Sequence, residues 1–204
     1  MLSSEPLLGA LTWQPDRADV VTCETQLREV VEPPAPVIAD KGIAGIDERS
    51  RDFIAASRLF FLATTAPDGS LDVSPRGDEA GGVLLFDDNR TLAFADRNGN
   101  RRLDSFRNIL RHPRVGMLFV VPGLDHSLRV NGKATIVRSA PFFTGLAVNG
   151  VDPALAVVVE VDELFVHCGR AFLHSGAWNP GSWPESDAVP TVGQLFKSQS
   201  AFAP

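Results

Sequence analysis

From Leu59 to His167 the apolar residues fall in short runs separated by turn signals. LFFLATT (59–65) ends at APDGS, where Asp68-Gly69 is a hairpin dipeptide, and LDVSP returns from it. GGVLLF, DDNR and TLAFA predict a second hairpin. HPRVGMLFVVPG, the alternating SLRVNGKATIV and the β-branched ALAVVVEVDELFVH predict further strands. Strands joined mainly by hairpins, with helices only at the margins, predict a mainly β fold: a closed, six-stranded antiparallel barrel with peripheral helices. Strands and helices do not alternate regularly, which argues against a doubly wound parallel sheet.

Helical spacing appears elsewhere. Val20, Val21, Leu27, Val30 and Val31 predict a helix within 17–31, which EPPAP at 32–36 would end as a stiff extended linker. Asp47 is a good N-cap for a helix through Phe53, Ile54 and Ala56. Further helices are expected from about Asn100 to Arg111, within SAPFFTGLAVNG with Ser139 as cap, within CGRAFLHSG with Gly176 as stop, and within TVGQLFKSQS. The expected organisation is an appendage over 1–45, a barrel domain over 46–190, and a short helix with a tail over 191–204.

The formal charge of −6 argues against general nucleic-acid binding, which needs a basic face. No apolar run approaches the ~20 residues of a membrane-spanning helix. MLSSEPLLGALTWQPD lacks the basic and continuous apolar segments of a secretory leader, so a cytoplasmic setting is expected. Cys23 and Cys168 are too far apart in sequence to read as a disulfide framework, and both are expected to be small buried thiols. His112, His126, His167 and His174 show no ligand spacing, and no metal site is expected. There is no GxxxxGK[ST], no GxGxxG after a strand and no GxSxG elbow.

Charge matters where it clusters. Between residues 97 and 114 stand six arginines and a single acid, Asp104. If a helix begins at Asn100, Arg101 and Arg102 occupy its first turn, where the helix dipole disfavours cations. A phosphate held by the helix N-terminus and two guanidinium groups would compensate. Gly99 allows a tight turn before the cap. Arg107, Arg111 and Arg114 lie further along and read as an ordinary basic face.

Four short motifs carry a resemblance: VSPRGD at 73–78, DRNGNRR at 96–102, LRVNG at 128–132 and HCGRA at 167–171. No one of them is decisive, but four in this order are fairly specific. With the strand pattern around them, they make residues 47–190 resemble the pyridoxamine 5'-phosphate oxidase-like superfamily. The closer likeness is to its subgroup of FMN-dependent enzymes of unassigned substrate. The resemblance implies an FMN-binding split barrel that works as a homodimer, with FMN in two sites at the interface. It implies that Arg101 and Arg102, with Asn100 before them, hold the FMN phosphate. It implies that Val73, Ser74, Pro75, Arg76, Ala95, Asp96 and Arg97 line the flavin ring and ribityl chain. Arg76 could then stabilise the anionic reduced flavin. His167, Arg170 and Trp178 would come from the partner chain.

The chain also departs from the oxidases. VLLFDD at 83–88 lacks their lysine, Ser127 stands where they carry a glutamine, and their substrate-binding residues have no clear counterparts. Pyridoxamine phosphate is therefore not carried over as the substrate. The expectation is an FMN-dependent oxidoreductase of unknown small-molecule substrate, with no assigned catalytic residue, no nucleic-acid partner and no membrane partner. The alternatives are a non-catalytic flavin carrier or sensor, and a deazaflavin-dependent reductase.

Overall fold

The computed structural model describes residues 16–79 and 82–202. The leader reading of the first sixteen residues falls almost wholly outside them. The chain divides after Lys41 into two compact units. In the first, a 3₁₀ turn over Arg17–Asp19 precedes α1 (Glu24–Val30) and α2 (Pro36–Ala39). The expected extended linker thus gives way to a helical turn at Pro36. A proline tolerates that first helical position, because its missing N–H would be unpaired there anyway.

The second unit opens on α3 (Glu48–Ala56). Asp47 caps it as expected, its carboxylate accepting from the Arg49 and Ser50 amides at 2.9 and 3.1 Å. Seven strands follow: β1 (Leu59–Thr65), β2 (Leu71–Gly77), β3 (Val83–Leu85), β4 (Thr91–Ala95), β5 (Arg114–Val120), β6 (Ser127–Val137) and β7 (Ala156–His167). Between β4 and β5 lies α4 (Asp104–Arg111), and beyond β7 lie α5 (Arg170–Ser175) and α6 (Val192–Phe202). The sheet holds seven strands where a six-stranded barrel was expected: every strand segment read from the sequence forms, including the short β3 that pairs with β4. The segment around Ser139 forms a 3₁₀ helix, Pro141–Leu146, capped by backbone alone.

Strand order is β2-β1-β5-β6-β7-β4-β3, antiparallel at every step. The sheet curls until its far members meet. Phe60 of β1 and Phe94 of β4 are four strands apart, yet their rings pack edge to face at 5.1 Å. Phe60 also touches Phe119 of β5 at 5.1 Å. Leu62, Leu92, Met117, Val130, Val157, Val159 and Val161 fill the interior. Ile54 of α3 and Phe106 and Ile109 of α4 belong to the same core. β2 and β3 are the outermost strands in the order, so the sheet is a split barrel rather than a closed one.

On the long flank, β6 and β7 run side by side with one irregularity, where Asn131 pairs Glu163 and Gly132 pairs Val161. Asp162 is the extra residue. Its effect shows in burial: Val157, Val159 and Val161 point inward, and the next inward residue is Leu164. A single inserted residue reverses a strand's alternation and bends it. Gly132 fits this crossing, because a Cβ there would overlap the Glu160 carbonyl oxygen. Both cysteines are free but exposed, contrary to the expected burial; Cys23 immediately precedes the exposed helix α1, and Cys168 follows the end of β7.

Candidate functional site

β2 alternates sides residue by residue, so Asp72, Ser74 and Arg76 share the face that turns away from solvent, while Leu71 and Val73 are exposed. α4 meets that face. Ser105, in its first turn, is 2% exposed. The Ser105 hydroxyl lies 2.6 Å from Asp72 Oδ2, 3.0 Å from Arg76 Nη2 and 3.1 Å from Ser74 Oγ. Arg76 Nε is buried and, among the described residues, has no hydrogen-bond partner.

The loop from β4 to α4 completes a cavity of about 560 Å³. That size suits a cofactor or a small ligand. Its wall includes Asp72, Ser74, Pro75, Arg76, Asp96, Arg97 and the run 98–106. A second cavity of about 210 Å³ shares Pro75, Arg76, Arg97, Asn98 and Gly99 with it and reaches Phe60, Phe94 and Ala95.

The helix start differs from expectation. Arg101 and Leu103 adopt left-handed backbone angles, φ 60° and 57°, and the helix begins only at Asp104. Asn100 is therefore not a helix cap; its side-chain oxygen accepts from the Arg102 amide at 3.0 Å, closing a local turn. The first helical turn carries an acid, Asp104, as the dipole favours. The two arginines sit in the loop before it. Left-handed conformations cost non-glycine residues about 1 kcal/mol or more each, and they cluster where a loop is shaped for a ligand.

The four arginines at the cavity are engaged differently. Arg97 is held by Asp78, with Nε and Nη2 both 2.6 Å from Oδ2, and Nη1 donates to the Leu146 carbonyl at 2.9 Å. This pair crosses the split, joining the end of β2 to the exit of β4. Arg102 Nε meets Asp104 Oδ2 at 2.7 Å, which raises the arginine's pKa further. Arg76 gives one N–H to Ser105. Arg101 is exposed and, among the described residues, has no hydrogen-bond or ion-pair partner. Asp96 is half-buried; burial pushes its carboxyl above the usual range, and the Arg76 charge partly opposes that.

Of the residues singled out in sequence, Ser74, Pro75, Arg76, Asp96, Arg97, Asn100, Arg101 and Arg102 line the larger cavity. Ala95 lines the smaller one. Val73 pairs with Ala63 on the opposite face of β2 and is 64% exposed. His167 and Arg170 line neither cavity. Ala156, paired with Ala95, starts β7, and His167 ends it eleven residues on, roughly 35 Å of strand away. Trp178 donates to the Leu124 carbonyl at 2.8 Å and stacks on Phe172. Of the basic residues further along, Arg114 pairs with Asp162 across the sheet. Sequence reasoning missed Asp72 and Ser105. Asp72 was within reach, since it lies two residues before Ser74 on the same strand face.

A family model described as pyridoxamine 5'-phosphate oxidase matches residues 46–168. The chain belongs to this family, and the split barrel above is its fold. No curated protein matches the chain. Similar solved structures include HupZ of Group A Streptococcus, with 19% identity, 59% of this chain and 93% of that one covered, and a TM-score of 0.48. General Stress Protein 26 of Bacillus anthracis has 17% identity, coverage of 57% and 88%, and a TM-score of 0.45. HutZ, described as a heme storage protein from Vibrio cholerae, has 14% identity, coverage of 60% and 94%, and a TM-score of 0.41. Likenesses this distant bear on no ligand.

Among the described residues no helix is long and apolar enough to cross a membrane, and no cluster of three or more His, Cys, Asp or Glu could hold a metal ion. The donor set suits an anionic, carbonyl-rich cofactor. Arg101 and Arg102 offer planar forks to a phosphate, and Arg76 retains N–H donors beside the wider part of the wall.

Proposed function

We propose that the chain binds FMN in the larger cavity and acts on a small-molecule substrate as an FMN-dependent oxidoreductase. Arg101, exposed at the cavity and without a hydrogen-bond or ion-pair partner among the described residues, is the observation that carries this reading. It stands beside Arg102 in a loop with two left-handed residues, and both arginines line the larger cavity. Arg101 lacks, among the described residues, the carboxylate partner that Arg114 finds in Asp162, and Arg102, though paired with Asp104, lines the same cavity, so the two suit a phosphate dianion.

When bound, FMN supplies hydride chemistry, and the protein supplies binding, orientation and charge. Arg101 and Arg102 hold the phosphate, while Asn100 fixes the Arg102 amide. Arg97, locked to Asp78 and Leu146, is a rigid wall. Asp96 lines the cavity, its carboxyl raised above the ordinary value by burial and opposed by the Arg76 charge. The active form is a homodimer. His167 and Arg170 reach an FMN site only from a second copy, since β7 carries them away from the cavity of their own chain.

Titration of the purified protein with FMN, followed by visible absorbance, tests this reading. The paired change Arg101→Ala with Arg102→Ala is expected to weaken binding about 100-fold, the scale of two charge-assisted hydrogen bonds to phosphate. Unchanged affinity would overturn the phosphate assignment. Tighter binding of a deazaflavin or of heme than of FMN would overturn the cofactor.

A further inference from the structure

We propose that Ser105 is a positioning residue for Arg76, acting as a one-hydroxyl spacer that keeps Asp72 from neutralising it. The inference rests on the FMN reading above. The hydrogen-bond directions follow from valence. A carboxylate only accepts and a guanidinium only donates. The single Ser105 hydroxyl proton therefore goes to Asp72 at 2.6 Å, and its oxygen accepts from Arg76 Nη2 at 3.0 Å. With that proton committed, Ser74 must be the donor in the 3.1 Å Ser74–Ser105 contact. The hydroxyl is then fully used, and every bond has one possible sense.

This arrangement fixes three things. Ser105 is anchored in the first turn of α4 and is 2% exposed, so the hub does not drift. Asp72, Ser74, Arg76 and Ser105 all line the larger cavity, so the hub is part of its wall. Arg76 contributes only one of its N–H groups to the hub, and its Nε has no hydrogen-bond partner among the described residues. Asp72 and Arg76 lie four residues apart on one face of β2, with Ser74 between them, and both side chains reach the same Ser105 hydroxyl, so the serine oxygen stands between the carboxylate and the guanidinium. Arg76 therefore keeps its charge and its remaining donors for the cavity, where a positive group favours the reduced, more negative form of a bound flavin.

Removing the hydroxyl lets the carboxylate close on the guanidinium. Ser105→Ala should then lose about tenfold of the protein's preference for reduced over oxidised FMN, the scale of one unit charge screened at short range. Asp72→Asn should shift the preference in the opposite direction, because Arg76 loses its counter-charge. Ser105→Thr, which keeps a hydroxyl, should stay near the native value. A merely structural serine would change melting temperature without this pattern of opposite signs.

The measurement is a dithionite titration of the FMN-loaded protein against a dye of known potential, for the native chain and the three variants. Opposite shifts for Ser105→Ala and Asp72→Asn, with Ser105→Thr restored, support the proposal. If Ser105→Ala does not fold, the Asp72→Asn shift and the Ser105→Thr value decide. Bound FMN with an unchanged potential in the folded variants overturns the role of Ser105 and leaves the FMN reading standing. A native chain that takes up no FMN overturns both.

Discussion

The two flanks of this barrel are held by different physics. On the β6–β7 flank, eleven residues of β6 pair with β7 along one ladder, and the side chains beneath are Val130, Val157, Val159 and Val161. On the opposite flank, β1 and β4 face each other without hydrogen-bonding as neighbours. They are joined there by the Phe60–Phe94 contact and by the Arg97–Asp78 pair. The ladder flank carries its own charged pair, Arg129 with Glu163 at 3.0 Å, and Arg129 Nε is buried there without a hydrogen-bond partner among the described residues. The split flank gathers arginines, carboxylates and serines, and both cavities that touch Arg76 open there. A sheet that leaves one side unpaired exposes a seam, and that seam is where a polar ligand can reach the protein interior.

Substitutions on each flank should separate stability from binding. Phe60→Ala removes an aromatic side chain that contacts both Phe94 and Phe119, and should cost about 3–5 kcal/mol in chemical denaturation. A loss below about 1 kcal/mol would mean that the rings do not close the barrel. Gly132→Ala on the ladder flank should cost about 2–3 kcal/mol, because the new Cβ overlaps the Glu160 backbone carbonyl. The folded fraction of that variant should still bind FMN with native affinity, because the bulge does not line either cavity. A weakened affinity would show the two flanks to be coupled.

The smallest effect is expected at Asp96. Its carboxyl titrates above the unfolded value, so the native state loses stability as pH rises through the folded pKa. Asp96→Asn should remove that loss. Solvent screening holds the gain to at most about 0.5 kcal/mol at neutral pH. The gain should fade on acidification and vanish below the unfolded carboxylate pKa. A gain that persists in acid would trace instead to packing. Melting curves across pH distinguish the two.

Most of the strand pattern was legible because it rests on local signals. Asp68-Gly69 turns β1 into β2, and alternation on β6 marks its buried face. Asp47 capped its helix as read, since a cap depends on its own next three residues. The start of α4 was not legible. Arg101 and Leu103 are poor candidates for left-handed backbone, and nothing in their side chains announces it. The charge cluster was recognised and three of its six arginines, Arg97, Arg101 and Arg102, do line one cavity, although the helix geometry first invoked for it does not occur. Ser105 escaped notice because its role depends on β2 lying against α4, a contact made only in three dimensions. The burial expected of Cys168 failed because the strand ends just before it.

The irregularity at Asp162 divides β7 into two reading frames. Up to Val161 the odd-numbered residues face the core; beyond the irregularity the even-numbered Leu164 does, and Val166 after it is 50% exposed. Deleting that one residue would join the frames. Glu163 would then follow Val161 directly on the outward side, and Leu164 would keep its inward place. The extra residue therefore bends the strand and interrupts its ladder without deciding which side chains beyond it reach the core.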